Sequence, residues 1–131
     1  MKKFVYLISP NKIDKKFYSN LDAVLSFGNV KFFQLRLKKI KTNDLLKIAS
    51  KIRKITLKYK VKFIINDNFI LALKSKADGC HMGQQDGYIK IAKKKFKNKI
   101  IGVTCHESKV LAKKAIKDKA TYLAFGSFFK S

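Results

Sequence analysis

Two aspartates, Asp67 and Asp86, each follow directly after a short β-rich segment of the sequence. Carboxylates are scarce in this chain, which has eight acidic residues against 31 lysines and arginines. Two carboxylates on neighbouring strand ends suit Mg²⁺, a hard cation that binds one or two carboxylates together with water and phosphate oxygens. Each aspartate also has a simpler interpretation: Asp67 as the N-cap of a helix beginning near Phe69, and Asp86 as a turn residue before Gly87.

The segment over residues 31–38 alternates apolar and polar side chains with the two-residue period of a strand. One face carries Phe33, Leu35 and Leu37, and the other carries Gln34, Arg36 and Lys38. The apolar face predicts packing beneath a helix, so the cationic face must open to a cavity, to solvent or to an anionic ligand. Inside a closed barrel it would be a binding site whose cations hold phosphates bridged by a metal. The alternative is the solvated face of an edge strand.

Short β-rich segments alternate with amphipathic segments along the whole chain. The predicted strands cover residues 4–9, 31–38, 61–66, 77–82, 100–104 and 120–126, and the clearest helices cover 43–59 and 107–118. Six strands separated by helices predict an α/β fold with a parallel sheet. Ligands of such folds gather at the carboxyl ends of the strands. The polar residues expected to meet there are Gln34, Arg36, Lys38, Asn66, Asp67, Asp86 and Thr104.

The histidines His81 and His106 and the cysteines Cys80 and Cys105 lack the spacing of a metal site. We expect His81 to be packed or hydrogen-bonded rather than to act as a base, and His106 to lie at the start of a helix. Neither cysteine belongs to a C-x-x-C pair, which predicts two reduced, partly buried thiols in a cytoplasmic protein.

The chain has 131 residues, a formal net charge of +23 and 47% hydrophobic residues, which indicates one folded, strongly basic domain. Arg36 and Arg53 are its only arginines, and the remaining basic residues are lysines spread over every third of the sequence. This favours a solvated lysine coat over a specific nucleic-acid-binding face, where arginine is usually concentrated. No apolar run approaches the ~20 residues of a membrane span.

The motifs, in their order along the chain, resemble the thiamine phosphate synthase family of (β/α)₈ (TIM) barrels. The matching segments are YLISP at 6–10, QLRLK at 34–38, INDN at 65–68, ADGCHMGQQD at 77–86, GVT at 102–104 and YLAFG at 122–126. The Q-x-R-x-K, N-D and G-Q-x-D elements are specific in combination. The resemblance implies a transferase that joins an aminopyrimidine methyl diphosphate to a thiazole phosphate, giving thiamine phosphate and pyrophosphate.

The resemblance also implies roles for the polar residues. The residues that would bind the pyrimidine diphosphate are Gln34, Arg36, Lys38, Asn66 and Thr104, and those that would hold Mg²⁺ are Asp67 and Asp86. Thr104 replaces the usual serine and keeps its hydroxyl, and no residue is assigned as a general acid or base. Two alternatives remain, a thiazole tautomerase on the same barrel and a non-enzymatic basic nucleic-acid-binding domain. A tautomerase has little use for this set of residues, and a nucleic-acid binder would concentrate its cations on one face.

The family continues beyond the sixth strand into a Thr-x-Thr-Lys loop and two further strands, whereas here Ser131 stands at the first threonine and is the last residue. We therefore expect a single partial barrel domain over residues 1–131, with six βα units present and strands seven and eight missing. Such an open barrel is expected to be weakly active or inactive. Its predicted partners are small-molecule substrates, with no specific nucleic acid and no membrane.

Overall fold

In a computed structural model of the chain, residues 2–83 and 88–129 are described. Within these ranges six strands alternate with five helices. The strands are β1 (Val5–Ile8), β2 (Val30–Leu35), β3 (Lys62–Asn66), β4 (Gly79–Gly83), β5 (Ile100–His106) and β6 (Tyr122–Phe125). The helices are α1 (Lys15–Ser26), α2 (Thr42–Lys58), α3 (Phe69–Lys74), α4 (Tyr88–Lys95) and α5 (Lys109–Lys117). The predicted alternation is confirmed, and helices 43–59 and 107–118 correspond to α2 and α5.

All six described strands form one parallel sheet in the order in which they occur along the chain. Strands β1 and β6 are therefore its two edges, and a flat sheet would hold them about 24 Å apart. Instead, the rings of Tyr6 on β1 and Tyr122 on β6 have their centroids 5.5 Å apart. The sheet is curled, with the inner faces of its first and last strands turned toward each other.

The second strand is internal, because β2 pairs with both β1 and β3. The interpretation of this segment as an edge strand is wrong. Its predicted end at residue 38 is also wrong, because the ladder with β3 stops at Leu35 and Ile65. Beyond that pair the Arg36 backbone N–H donates to the Ser9 hydroxyl at 2.8 Å. Arg36 and Lys38 consequently lie past the carboxyl end of β2 rather than on its face.

The main core lies between the outer face of the sheet and the helices. Phe33 and Phe63, neighbours on β2 and β3, are fully buried with ring centroids 6.4 Å apart. The inner side of α2 contributes Ala49 and Ile52, both also fully buried, while its lysines point outward. Lysines on the helix exteriors are the solvated coat that the composition predicts. No helix in the described ranges is long and apolar enough to cross a membrane.

Both cysteines are buried in the core as thiols and are not joined in a disulfide. Burial raises the pKa of the Cys80 thiol to about 11, so little thiolate forms at neutral pH. We expect iodoacetamide at pH 8 to alkylate Cys80 and Cys105 at least about a hundredfold more slowly in native buffer than in urea, because reaction requires opening of the core. Peptide mass spectrometry over time would measure both rates, and rapid native labelling of either thiol would contradict the burial.

Candidate functional site

A cavity of about 1000 Å³ lies at the carboxyl end of the curled sheet and is lined by residues from all six strands. The last residues of five strands contribute to it: Ile8, Asn66, Gly83, His106 and Phe125. Five of the predicted site residues line it as well, namely Gln34, Arg36, Asn66, Asp67 and Thr104. The curl therefore gathers residues from β2, β3, β5 and the loops that follow β2 and β3 around one space.

Two predicted site residues are not among the described residues that line the cavity. Lys38 is exposed beyond β2 and is not among the described residues that line the cavity. Asp86 lies outside the described residues, together with Gln84, Gln85 and Gly87. The predicted roles of Lys38 and Asp86 therefore remain predictions.

Asp67 occupies the turn between β3 and α3 in a left-handed backbone conformation, with φ of 59°. Its backbone N–H donates to the His81 carbonyl at 2.8 Å, which anchors the turn to β4. The N-cap of α3 is Asn68, whose side-chain oxygen accepts the Leu71 backbone N–H at 2.9 Å. The interpretation of Asp67 as the cap is therefore wrong, and its carboxylate lies in the lining of the cavity instead.

A network of hydrogen-bonded polar side chains crosses the inner face of the sheet. The Gln34 amide Nε2 donates to the Tyr6 hydroxyl at 2.9 Å, and that hydroxyl lies 2.5 Å from the hydroxyl of Tyr122. Tyr122 is 2.8 Å from Nδ1 of His81, whose Nε2 is 2.7 Å from Oγ1 of Thr104. The expectation of a hydrogen-bonded His81 is confirmed. Sequence reasoning missed Tyr6 and Tyr122, which occur among apolar strand residues with no local sign of a shared face.

Burial keeps this network uncharged near neutral pH. It lowers the pKa of His81, and the nearby Asp67 carboxylate opposes that shift. Burial likewise raises the pKa of Tyr6 and of Tyr122. Among the described lining residues Arg36 is the one arginine, Asp67 the one carboxylate, and no lysine is present. The charge of +23 is thus carried almost entirely outside the cavity.

The donors at the cavity suit a hard, oxygen-binding cation. In the described part of the chain no three histidine, cysteine or acidic residues come together as a metal cluster, as a structural zinc site would require. Mg²⁺ differs because one or two carboxylates suffice when water and phosphate complete its coordination. Asp67 offers such a carboxylate, and Arg36, a cation suited to phosphate, lines the same cavity. The lining therefore fits Mg²⁺ bound together with an anionic ligand.

Gly102 on β5 has no side chain, and the Tyr122 ring packs in the space that a Cβ at this position would occupy. A Cβ added at Gly102 would lie 2.0 to 2.5 Å from the Tyr122 ring and hydroxyl, which is too close for any packing. We expect Gly102→Ala to push Tyr122 away from Tyr6 and His81 and to weaken the near-ultraviolet circular dichroism of the tyrosines, which no tryptophan obscures. Gly83→Ala is the matched control, since its Cβ meets nothing within 4 Å. An unchanged Gly102→Ala spectrum would contradict this packing.

The chain is similar to thiamine-phosphate synthases along nearly its whole length. A family model described as thiamine monophosphate synthase matches residues 5–131. The thiamine-phosphate synthase of Pelagibacter ubique is 61% identical over 129 residues, which are 98% of this chain and 62% of that protein. That of Erythrobacter litoralis is 40% identical, over 97% of this chain and 61% of that protein.

The fold of the chain is similar to that of a solved structure as well. A solved structure of a thiamine phosphate pyrophosphorylase from Pyrococcus furiosus superposes with a TM-score of 0.84 at 30% identity, covering 96% of this chain and 61% of that one. The chain thus spans about three fifths of the length of these relatives. The matched segment contains the cavity and every described residue that lines it. On this evidence the chain belongs to the thiamine monophosphate synthase family.

Proposed function

We propose that the cavity binds an aminopyrimidine methyl diphosphate and that the chain is the part of a thiamine-phosphate synthase that holds this substrate. The observation that carries the proposal is the convergence of Gln34, Arg36, Asn66, Asp67 and Thr104 on one cavity at the carboxyl end of the sheet. The family resemblance implies Gln34, Arg36, Asn66 and Thr104 for this substrate and Asp67 for Mg²⁺. We further propose that residues 1–131 form one domain, and that its curled sheet and helices are the first six units of a (β/α)₈ barrel.

Different lining residues would bind the diphosphate and the pyrimidine ring of the ligand. Arg36 presents a guanidinium that can bind two phosphate oxygens at once, and the Thr104 hydroxyl can add a neutral hydrogen bond. Gln34 is 3% exposed at the floor of the cavity, where its amide suits the polar edge of a flat ring. Asn66 ends β3 beside Asp67 and can bind either part. Lys38, exposed beyond β2, is proposed as a further cation for the diphosphate.

Asp67 would hold Mg²⁺, and the family resemblance implies Asp86 as a second ligand. When bound, Mg²⁺ would neutralise charge on the departing diphosphate. The carboxylate donor of Asp67 and the presence of Arg36 in the same cavity support this assignment over a transition metal, whose sites favour histidine and cysteine.

The proposed reaction needs no side chain as a general base. The bond between the pyrimidine methylene carbon and the diphosphate oxygen breaks, and its electron pair leaves with pyrophosphate. The electron-rich aminopyrimidine stabilises the resulting methylene cation, and the thiazole nitrogen supplies the electron pair of the new carbon–nitrogen bond. In this chain Arg36 binds the charge that develops on the leaving group, while the uncharged inner network surrounds the ring.

The alternatives have less support. A nucleic-acid-binding role would need a concentrated cationic surface, whereas the lysines lie on the exteriors of several helices and Arg53 is paired with Asp78 at 2.8 Å. A tautomerase would have no evident use for Arg36 and Asp67 in one cavity. Two buried thiols that are not joined in a disulfide support a cytoplasmic location.

Calorimetric titration of the purified chain with the pyrimidine diphosphate, in Mg²⁺ and in EDTA, tests the proposal. We expect one-site binding that depends on Mg²⁺ and is weakened at least about tenfold in Arg36→Gln. The control is Lys47→Gln on the outer side of α2, which should leave the affinity unchanged. A folded chain that shows no Mg²⁺-dependent binding would contradict the proposal, and binding of the thiazole phosphate alone would favour a tautomerase.

A further inference from the structure

His106 is the last residue of β5, rather than part of the helix that follows, and its backbone is unusual for a strand. Its φ is 52°, in the left-handed region that glycine adopts without strain and histidine adopts rarely. The pairing with β6 is also irregular here, because two steps along β5, from Thr104 to His106, match one step along β6. Cys105 is the extra residue of this β-bulge. Bulges often redirect a side chain beside a functional site.

Other left-handed residues of the chain show what is special about His106. Seven described residues other than glycine have a positive φ. Five of them are exposed and lie outside the cavity lining: Lys39, Lys60, Lys76, Asn98 and Lys119. The remaining two, Asp67 and His106, both line the cavity. Strained backbone tends to concentrate at functional sites, and Asp67 is already the proposed ligand of Mg²⁺. His106 is therefore a candidate for a second contact with a ligand.

The His106 side chain is exposed at the cavity while its backbone is held in place. Its carbonyl accepts the Gly126 backbone N–H at 3.2 Å, which fixes the end of β5 to the residue that follows β6. Within the described ranges its ring makes no hydrogen bond, whereas both ring nitrogens of His81 have partners. The His106 imidazole can therefore donate an N–H to a ligand in the cavity.

His106 and the charged residues lie on opposite sides of the cavity. Arg36 and Asp67 follow β2 and β3, whereas His106 ends β5. Because the sheet curls until its first and last strands meet, β2 and β5 face each other. Four successive hydrogen bonds are needed to connect Gln34 on β2 to Thr104 on β5. The lining thus has two separate places where an anionic group can bind.

The lining beside His106 suits an uncharged ring. It comes from β6 and the residues that follow it, and none of these side chains carries a charge at neutral pH: Tyr122, Leu123, Ala124, Phe125, Gly126 and Ser127. Among the described lining residues of β5 and β6, His106 is the one that can become a cation. A flat aromatic ring could pack on this apolar surface with an anionic substituent directed to the imidazole.

We propose that His106 is a specificity-determining residue that binds the phosphate of the second substrate, a phosphorylated thiazole. The proposed reaction brings two phosphorylated molecules into one cavity, and Arg36 and Mg²⁺ neutralise the diphosphate of the first. Like charges repel, so the second phosphate needs a donor of its own away from that diphosphate. His106 supplies it from the opposite side. The identity of the ligand rests on the proposed function.

Calorimetric titrations of both substrates test the proposal. Thiazole phosphate is titrated into chain that holds Mg²⁺ and inorganic pyrophosphate, which fills the diphosphate end, and the pyrimidine diphosphate into chain with Mg²⁺ alone. In His106→Gly the Kd of thiazole phosphate should rise at least about fivefold, while that of the pyrimidine diphosphate stays within about twofold. Arg36→Gln should give the reverse pattern. Equal weakening of both ligands in His106→Gly, or no change in either, would overturn the proposal.

Further variants separate the imidazole from the backbone. Glycine adopts the left-handed conformation without strain, so the urea midpoint of His106→Gly should not fall. Asn98→Gly relieves the same strain outside the cavity and should leave both affinities unchanged. His106→Lys restores a cation in a residue type that this chain already places at four left-handed positions, and it should bind thiazole phosphate more tightly than His106→Gly.

The same titrations distinguish this proposal from the proposed function. If the unaltered chain binds the pyrimidine diphosphate but not thiazole phosphate, the proposed function stands and the role of His106 is overturned. If it binds thiazole phosphate alone and His106→Gly weakens that binding, the role of His106 stands and the proposed function fails. Binding of neither substrate would overturn both.

Discussion

The Asp67→Asn variant is expected to lose the Mg²⁺-dependent part of pyrimidine diphosphate binding, with Kd in Mg²⁺ rising at least about tenfold. Asp67 is the one carboxylate among the described lining residues of the cavity, and an amide is a much poorer ligand for a hard cation. Asparagine is chosen because Asp67 has a φ of 59°, a left-handed conformation that asparagine adopts more readily than alanine. The turn between β3 and α3 should therefore remain intact.

Calorimetric titrations in Mg²⁺ and in EDTA measure this effect directly. In EDTA the variant and the unaltered chain should bind the ligand with equal, weak affinity. Asp44→Asn serves as the matched control, because Asp44 is an exposed carboxylate in the first turn of α2 and should leave both affinities unchanged. Retention of Mg²⁺-dependent binding in Asp67→Asn would show that this carboxylate is not a ligand of the cation.

Gly79→Ala should destabilise the chain by about 2 kcal/mol or more. Gly79 pairs with Ile64 on β3 and Ile100 on β5, and its Cβ would lie 2.2 Å from the Ile100 carbonyl oxygen and 2.6 Å from the Ile100 Cβ. The obstructing oxygen belongs to the backbone of a paired strand, so no side-chain rotation relieves the contact. Strands β4 and β5 must separate, and the centre of the sheet loses hydrogen bonds.

Gly83→Ala provides a control in the same strand, because a Cβ at Gly83 meets nothing within 4 Å. Its free energy of unfolding should stay within about 0.5 kcal/mol of that of the unaltered chain. Urea denaturation followed by far-ultraviolet circular dichroism would measure both variants, with equal m-values showing that only stability has changed. Equal midpoints for the two variants would contradict the close approach of β4 and β5.

The elements that local sequence pattern predicts well are those with a strong period. The spacing of apolar residues in 43–59 places α2 within one residue of its observed bounds, Thr42–Lys58. The end of β2 was placed three residues too late, because the alternation that continues through Leu37 and Lys38 resembles a strand whether or not a partner strand is present. Only the pairing with β3, which stops at Leu35 and Ile65, ends the ladder.

The candidate site divides in a similar way. The motif order and the strand-end rule place Gln34, Asn66 and Thr104 at one end of the sheet, and all three line the cavity. Tyr6 and Tyr122 were not predicted, because their contact depends on how far the sheet curls. The identity of the α3 cap also depended on local backbone geometry, which assigns Asn68 to the cap and leaves Asp67 at the cavity.

By itself the sequence determined the alternation of strands and helices, the family, and which polar residues follow the strands. These properties depend on side-chain period and on motifs that lie within a few residues of one another. Only the tertiary structure decided that the two edge strands face each other and that one hydrogen-bonded network connects Gln34 to Thr104. The physical reason is that strand period sets which side a residue faces, whereas the curvature that brings opposite edges together arises from packing of the whole sheet against its helices.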